Sequence, residues 1–92
     1  MENIKRLVED NRHLVPSHFT PTLEVGLVGQ SMSKFSTADV QAVFSVFGSV
    51  GGVEFKDRKA IVRFQDKSAA FFAQKFLDNK YISAFQTTLK IA

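Results

Sequence analysis

The segment from Val53 to Phe64 leaves this chain the least conformational choice. Apolar Val53 and Phe55 alternate with charged Glu54 and Lys56, and after Asp57-Arg58 the alternation resumes through Ala60, Val62 and Phe64. Period-two alternation on both sides of a polar dipeptide is the pattern of two half-buried antiparallel strands joined by a tight turn. A turn at Asp57-Arg58 sets Phe55 opposite Ala60 and Val53 opposite Val62 on one face. The other face then carries Lys56 beside Lys59 and Glu54 beside Ile61. No Asn-Gly or similar dipeptide marks this turn, so its register rests on the alternation alone.

The flanking segments supply the remaining elements. Leu23, Val25 and Leu27 alternate with Glu24 and Gly26 as a first strand, closed by the turn-like run Gly29-Gln30-Ser31-Met32-Ser33. Ser36-Thr37-Ala38-Asp39 reads as a capping-box start, with Asp39 suited to the positive end of the helix that follows. That helix is expected to bury Val40, Val43, Phe44 and Phe47, with Gly48 as its C-terminal stop. Asp66 caps a second helix running to about Asp78, with Ala70, Ala73, Phe76 and Leu77 inward. A last strand, Thr88 to Ile91, turns Leu89 and Ile91 inward and Lys90 outward. The order is β-α-β-β-α-β.

Ahead of it, Ile4, Leu7, Val8 and, out of phase, Leu14 give Glu2 to Leu14 the spacing of a short amphipathic helix. Pro16 ends it by about Val15, and a polar linker containing Pro21 follows. The expected organisation is an N-terminal extension over residues 1–21 and a domain over 22–92, without internal repeats.

A chain of 92 residues has material for one modest core. The absence of cysteine excludes disulfides, thiolate metal sites and cysteine nucleophiles, and favours an intracellular setting. No apolar run approaches the roughly 18 residues of a membrane span, and Met-Glu-Asn-Ile-Lys-Arg lacks the apolar core of a signal peptide. No membrane partner is therefore expected. The formal charge is +3, and residues 1–21 contribute none of it, with three basic against three acidic side chains. The excess, nine basic against six acidic residues, sits in the domain proper and inclines it toward polyanions.

Catalysis finds little support. His13 and His18 both lie in the extension without a second ligand at metal-binding spacing. Gly48, Gly51 and Gly52 form no phosphate loop and read as turn residues, and Glu54, Asp57 and Asp66 are scattered over a strand, a turn and a helix start. The expectation is a binding module and no enzyme, with no cofactor, metal or small-molecule substrate.

The element order, with Ala38-Asp-Val-Gln-Ala-Val-Phe-Ser-Val-Phe-Gly48, resembles the RNA-recognition-motif (RRM) family, whose first helix reads E-D-L-x-x-x-F-x-x-F-G. Lys59-Ala-Ile-Val-Arg-Phe64 is similar to the end of that family's eight-residue motif, and Ala70, Ala73 and Leu77 fall where its second helix has A-x-x-A and a leucine. The resemblance covers roughly Thr22 to Ala92. It implies an α+β fold, a two-layer α/β sandwich of ferredoxin-like type with a four-stranded antiparallel sheet, here preceded by a short N-terminal helix. It also implies binding of single-stranded RNA on the open face of the sheet.

The departures from the family pattern concern that face. Its exposed aromatics stack on bases, yet Lys59 and Ile61 occupy the two stacking positions here and Phe64 falls on a core position. On the first strand, distance from Phe47-Gly48 puts Leu27 at the third platform, whereas alternation puts Glu24 and Gly26 on the surface and Leu27 inward. Neither register supplies an aromatic. The resemblance therefore implies weak RNA binding through Lys56, Lys59, Ile61, Arg63 and Lys90, with Leu27 a further candidate.

The alternative is a protein-interaction module within a larger RNA-processing complex, presenting Phe71, Phe72 and Phe85. Against the peptide-binding branch of the family, which carries Arg-x-Phe before the last strand, this chain has Ser83-Ala84-Phe85. The N-terminal helix either docks on the domain, where it would restrict RNA access if it covered the sheet, or belongs to a linker. Either role implies a nuclear or cytoplasmic setting.

Overall fold

Alternation decides the register of the hairpin as expected. The computed structural model describes residues 3–92. Its elements are α1 (Ile4–Asp10), β1 (Thr22–Leu27), α2 (Thr37–Phe44), β2 (Val50–Lys56), β3 (Lys59–Phe64), α3 (Lys67–Leu77), β4 (Tyr81–Ile82) and β5 (Thr87–Ile91). Two short 3-10 turns lie at Arg12–Leu14 and Met32–Lys34. Val53 pairs with Val62, Glu54 with Ile61, Phe55 with Ala60 and Lys56 with Lys59. Asp57 and Arg58 both take positive φ, 51° and 70°, the backbone a two-residue hairpin turn needs to match strand twist. Aspartate visits that region at modest cost, whereas tertiary pairing imposes it on Arg58.

The sheet is antiparallel, in the order β2-β3-β1-β5-β4, and has five strands where four were expected. The additional strand is Tyr81–Ile82, which pairs with Thr88 and Thr87 as a small hairpin at the sheet edge. Two residues are too few to show alternation, which is why the sequence pattern does not reveal this strand.

One face of the sheet is covered by α2 and α3. Ser36 caps α2 in a reciprocal capping box with Asp39, and Asp66 caps α3 by accepting from the Ser68 amide. Val40, Phe44 and Phe47 pack against Leu23, Val25, Val62 and Leu89, and Ala69, Ala70 and Ala73 bring the α3 backbone close to the strands. Phe76 departs from the expected stripe. It is 40% exposed although it shares a helix face with Ala69 and Ala73, because it lies in the last turn of α3. There its ring meets the rings of Phe47 and Phe72 edge-on, and Phe72 is the buried phenylalanine. Met32, which reads as a turn residue, is fully buried by its 3-10 turn.

The extension packs on the helical side. Val8 joins the core and α1 lies against α3. The expected start of this helix at Glu2 lies outside the described residues. Arg12 bridges to Asp66 at 2.7 Å and to Glu9 at 2.7 Å, and Lys67 Nζ donates to the Ser17 carbonyl at 2.7 Å. Further along, Phe19 meets Phe71 edge-on with centroids 5.2 Å apart, and the Pro21 carbonyl accepts from the Phe64 amide. Among the described residues no helix is long and apolar enough to cross a membrane.

Candidate nucleic-acid interface

The face of the sheet away from the helices is uncovered, and strand pairing orders its side chains into transverse rows. The first row runs Lys56, Lys59, Gly26, Lys90 across β2, β3, β1 and β5. Gly26 has no side chain, and the Lys59 stem lies over it: a Cβ built there would meet Lys59 Cγ at 3.7 Å. The second row is Glu54, Ile61, Glu24, and the third is Gly52, Arg63, Thr22. Directly opposed residues on neighbouring strands have Cβ atoms about 5 Å apart, so each row is close enough to act on one ligand.

Sequence reasoning set Glu54 beside Ile61 and, by alternation, Glu24 on the surface, but it counted four converging cations without pairing them with these carboxylates. Glu24 and Glu54 flank Ile61, and each is reached diagonally from β3. Lys59 Nζ lies 3.1 Å from Glu24 Oε1, and Arg63 Nη2 lies 3.4 Å from Glu54 Oε1. All four side chains are about half exposed, and ion pairs of that kind contribute at most about 1 kcal/mol each. They are therefore exchangeable. Lys90 Nζ donates to Asn79 Oδ1, and among the described residues Lys56 enters no ion pair. Ile61 is half-buried within a shallow depression lined also by Glu24, Glu54, Lys56, Asp57, Lys59 and Arg63.

Of the residues singled out from sequence, Lys56, Lys59, Ile61, Arg63 and Lys90 share this face. Leu27 does not. It lies on the core side of β1 with Leu23 and Val25, packed against the buried cluster, because pairing of Val25 with Ala60 fixes the alternation register. Glu24 takes the surface position opposite Ile61. Alternation alone contains that signal.

The phenylalanines proposed for protein contact are also corrected. Phe85 is wholly buried and meets Phe35 edge-on at 4.9 Å, and Phe72 is buried between Phe71 and Phe76. Phe71 is half-covered by Phe19 of the extension, with Lys75 Nζ 5.2 Å from its ring centre. The extension therefore conceals an aromatic on α3 and leaves the open sheet face uncovered.

Among the described residues no three His, Cys, Asp or Glu side chains cluster as a metal site. No family profile matches the chain, and comparison with curated proteins finds no match. Solved structures do match. The RRM domain of Puf1 from S. pombe is similar at 26% identity and a TM-score of 0.58, over 76% of this chain and 90% of that one. The RRM3 domain of Mip6 is similar at 21% identity and a TM-score of 0.64, over 85% of this chain and 96% of that one. NONO-1 from C. elegans, solved as a homodimer, is similar at 20% identity and a TM-score of 0.65, with this chain spanning 31% of its length. The domain is RRM-like.

Proposed function

We propose that residues 22–92 are a single-stranded RNA-binding module, with residues 1–21 an extension docked on its helical side, and that the protein acts by binding and not by catalysis. The observation that carries this reading is the uncovered sheet face, on which Ile61 lies among Lys56, Lys59, Arg63 and Lys90. Cations so placed attract phosphates, and Ile61 offers apolar contact to a base. The RRM-like fold supports RNA as the polyanion. Affinity is weak because Ile61 and not an aromatic stands at the centre of this face, where the one exposed ring, Tyr81, is set apart on the edge strand β4, and because Glu24 and Glu54 offset two of the four cations.

The test is an amide-shift titration with mixed-sequence single-stranded RNA at low and moderate salt. The expected outcome is salt-sensitive shifts at Lys56, Lys59, Ile61, Arg63 and Lys90. Lys59→Glu with Arg63→Glu should weaken binding by about tenfold or more, since two cations become anions. Both sites are half exposed, and surface changes of this kind move stability by only about 0.5 kcal/mol each. Absence of shifts at either salt would exclude this face as an RNA platform.

Docking of a protein partner is the second reading, and it keeps one specific support. Phe76 is 40% exposed on α3, its ring set edge-on against Phe47 and Phe72. Partner binding there would be insensitive to salt and lost on Phe76→Ala.

A further inference from the structure

We infer that the row Glu54, Ile61, Glu24 selects nucleobases bearing an exocyclic amino group and disfavours uracil. This inference rests on the RNA-binding reading above and adds base preference to it. The two carboxylates stand on the strands either side of Ile61, each paired with it directly across the ladder. A base laid on the Ile61 side chain has its edges directed at Glu24 on one side and Glu54 on the other.

Ionised carboxylates are acceptors only. Cytosine presents an N4 amino donor and adenine an N6 amino donor, whereas uracil presents a carbonyl oxygen, O4, at the corresponding place. Donor meets acceptor in the first case. In the second, acceptor faces acceptor, an unfavourable contact that discriminates by repulsion. Each carboxylate has two oxygens and about four lone-pair sites. The bond from Lys59 to one oxygen of Glu24, and from Arg63 to one oxygen of Glu54, therefore leaves acceptor capacity for a base.

Two further features increase the weight of these edge contacts. Stacking on an aromatic ring holds every base nearly alike, because every base has a π-face, and the face has Ile61 where such a ring would stand. What remains to tell bases apart is the edge. The lysine row one step along the strands, Lys56, Lys59 and Lys90, provides the phosphate attraction that an anionic pair alone would oppose.

The experiment compares cytidine and uridine hexanucleotides, which differ at C4, amino against carbonyl, and at N3, acceptor against N–H donor, by fluorescence anisotropy at neutral pH on the full chain. Wild type should bind the cytidine strand about fivefold or more tightly, the lower end of what one good side-chain-to-base pairing gives. In Glu24→Gln/Glu54→Gln the preference should fall below about twofold, because an amide both donates and accepts and so satisfies O4 as well as N4. Binding of the uridine strand should rise in that variant.

Equal wild-type affinity for both strands would overturn the base preference while leaving RNA binding intact. An undiminished preference in the glutamine variant would overturn the assignment to these carboxylates. Failure of wild type to bind either strand would overturn the RNA-binding reading and this inference together.

Discussion

Gly48 illustrates how one residue type serves different ends. The sequence marks it as a helix stop, a role glycine usually fills through positive φ, yet among the described residues only Gly29 is a glycine with positive φ. Space explains Gly48 instead. A Cβ there would lie 2.8 Å from Ala69 Cβ, closer than two methyl groups approach, so the turn after α2 rests directly on α3. Gly48→Ala should destabilise the domain by about 1–3 kcal/mol through overpacking. Adding Ala69→Gly should recover part of that loss, even though glycine within a helix costs about 1 kcal/mol. Urea unfolding of the two variants checks both; an unaltered midpoint in Gly48→Ala would show that the helices have room to separate. The same limit hides Glu24 and Glu54 as partners of Lys59 and Arg63: each pair is diagonal across a ladder, and which charges meet depends on the register of three strands at once. Leu27, by contrast, was legible from alternation once spacing to Phe47-Gly48 was set aside.

At the scale of elements, the hairpin and both capped helices were readable because each carries a local signal: alternation, Ser36 with Asp39, and Asp66. The strand β4 and the docking place of α1 were not, since one is two residues long and the other depends on contacts formed across the chain. The electrostatic part of that docking has a pH signature. Partial burial pushes the Asp66 carboxyl up, but hydrogen bonds from Arg12 and from the Ser68 amide outweigh it and hold it below its ordinary value. Arg12, hydrogen-bonded to Glu9 and Asp66, is held above its own. A carboxylate depressed in the folded state adds stability above its unfolded pKa of about 3.9 and loses that contribution as pH falls through the lower folded value. Amide shifts of Val8 and Arg12 should therefore stay native-like at neutral pH and move in acid below that range. In Asp66→Asn, which keeps a capping side chain while removing the charge, the same shifts should be displaced already at pH 7. Native-like shifts throughout in that variant would mean that Val8 and Phe19 hold the extension without the ion pair.

For the molecule as a whole, the arrangement of charge matters more than its sum. The extension is neutral, the domain carries the +3, and the open face mixes Lys56, Lys59, Arg63 and Lys90 with two carboxylates. A phosphate neutralised by Lys56 or Lys90 sheds the cations condensed on the RNA there, and their release is what makes affinity fall with salt. At Lys59 and Arg63 the paired Glu24 and Glu54 leave little net charge with which to neutralise a phosphate, so the cations condensed on the RNA there are largely retained. The salt slope for single-stranded RNA should accordingly reflect two phosphates, about −1.4 in log K against log[salt], where four unpaired cations would give about −2.8. Glu24→Gln/Glu54→Gln should steepen the slope toward the larger value while raising affinity at low salt, because Lys59 and Arg63 would then each neutralise a phosphate and release the cations condensed there. Anisotropy titrations at several potassium chloride concentrations measure both quantities. A slope near −2.8 in wild type would show that the two ion pairs are open in solution before RNA arrives. An unchanged slope in the glutamine variant would place the phosphates elsewhere on the surface.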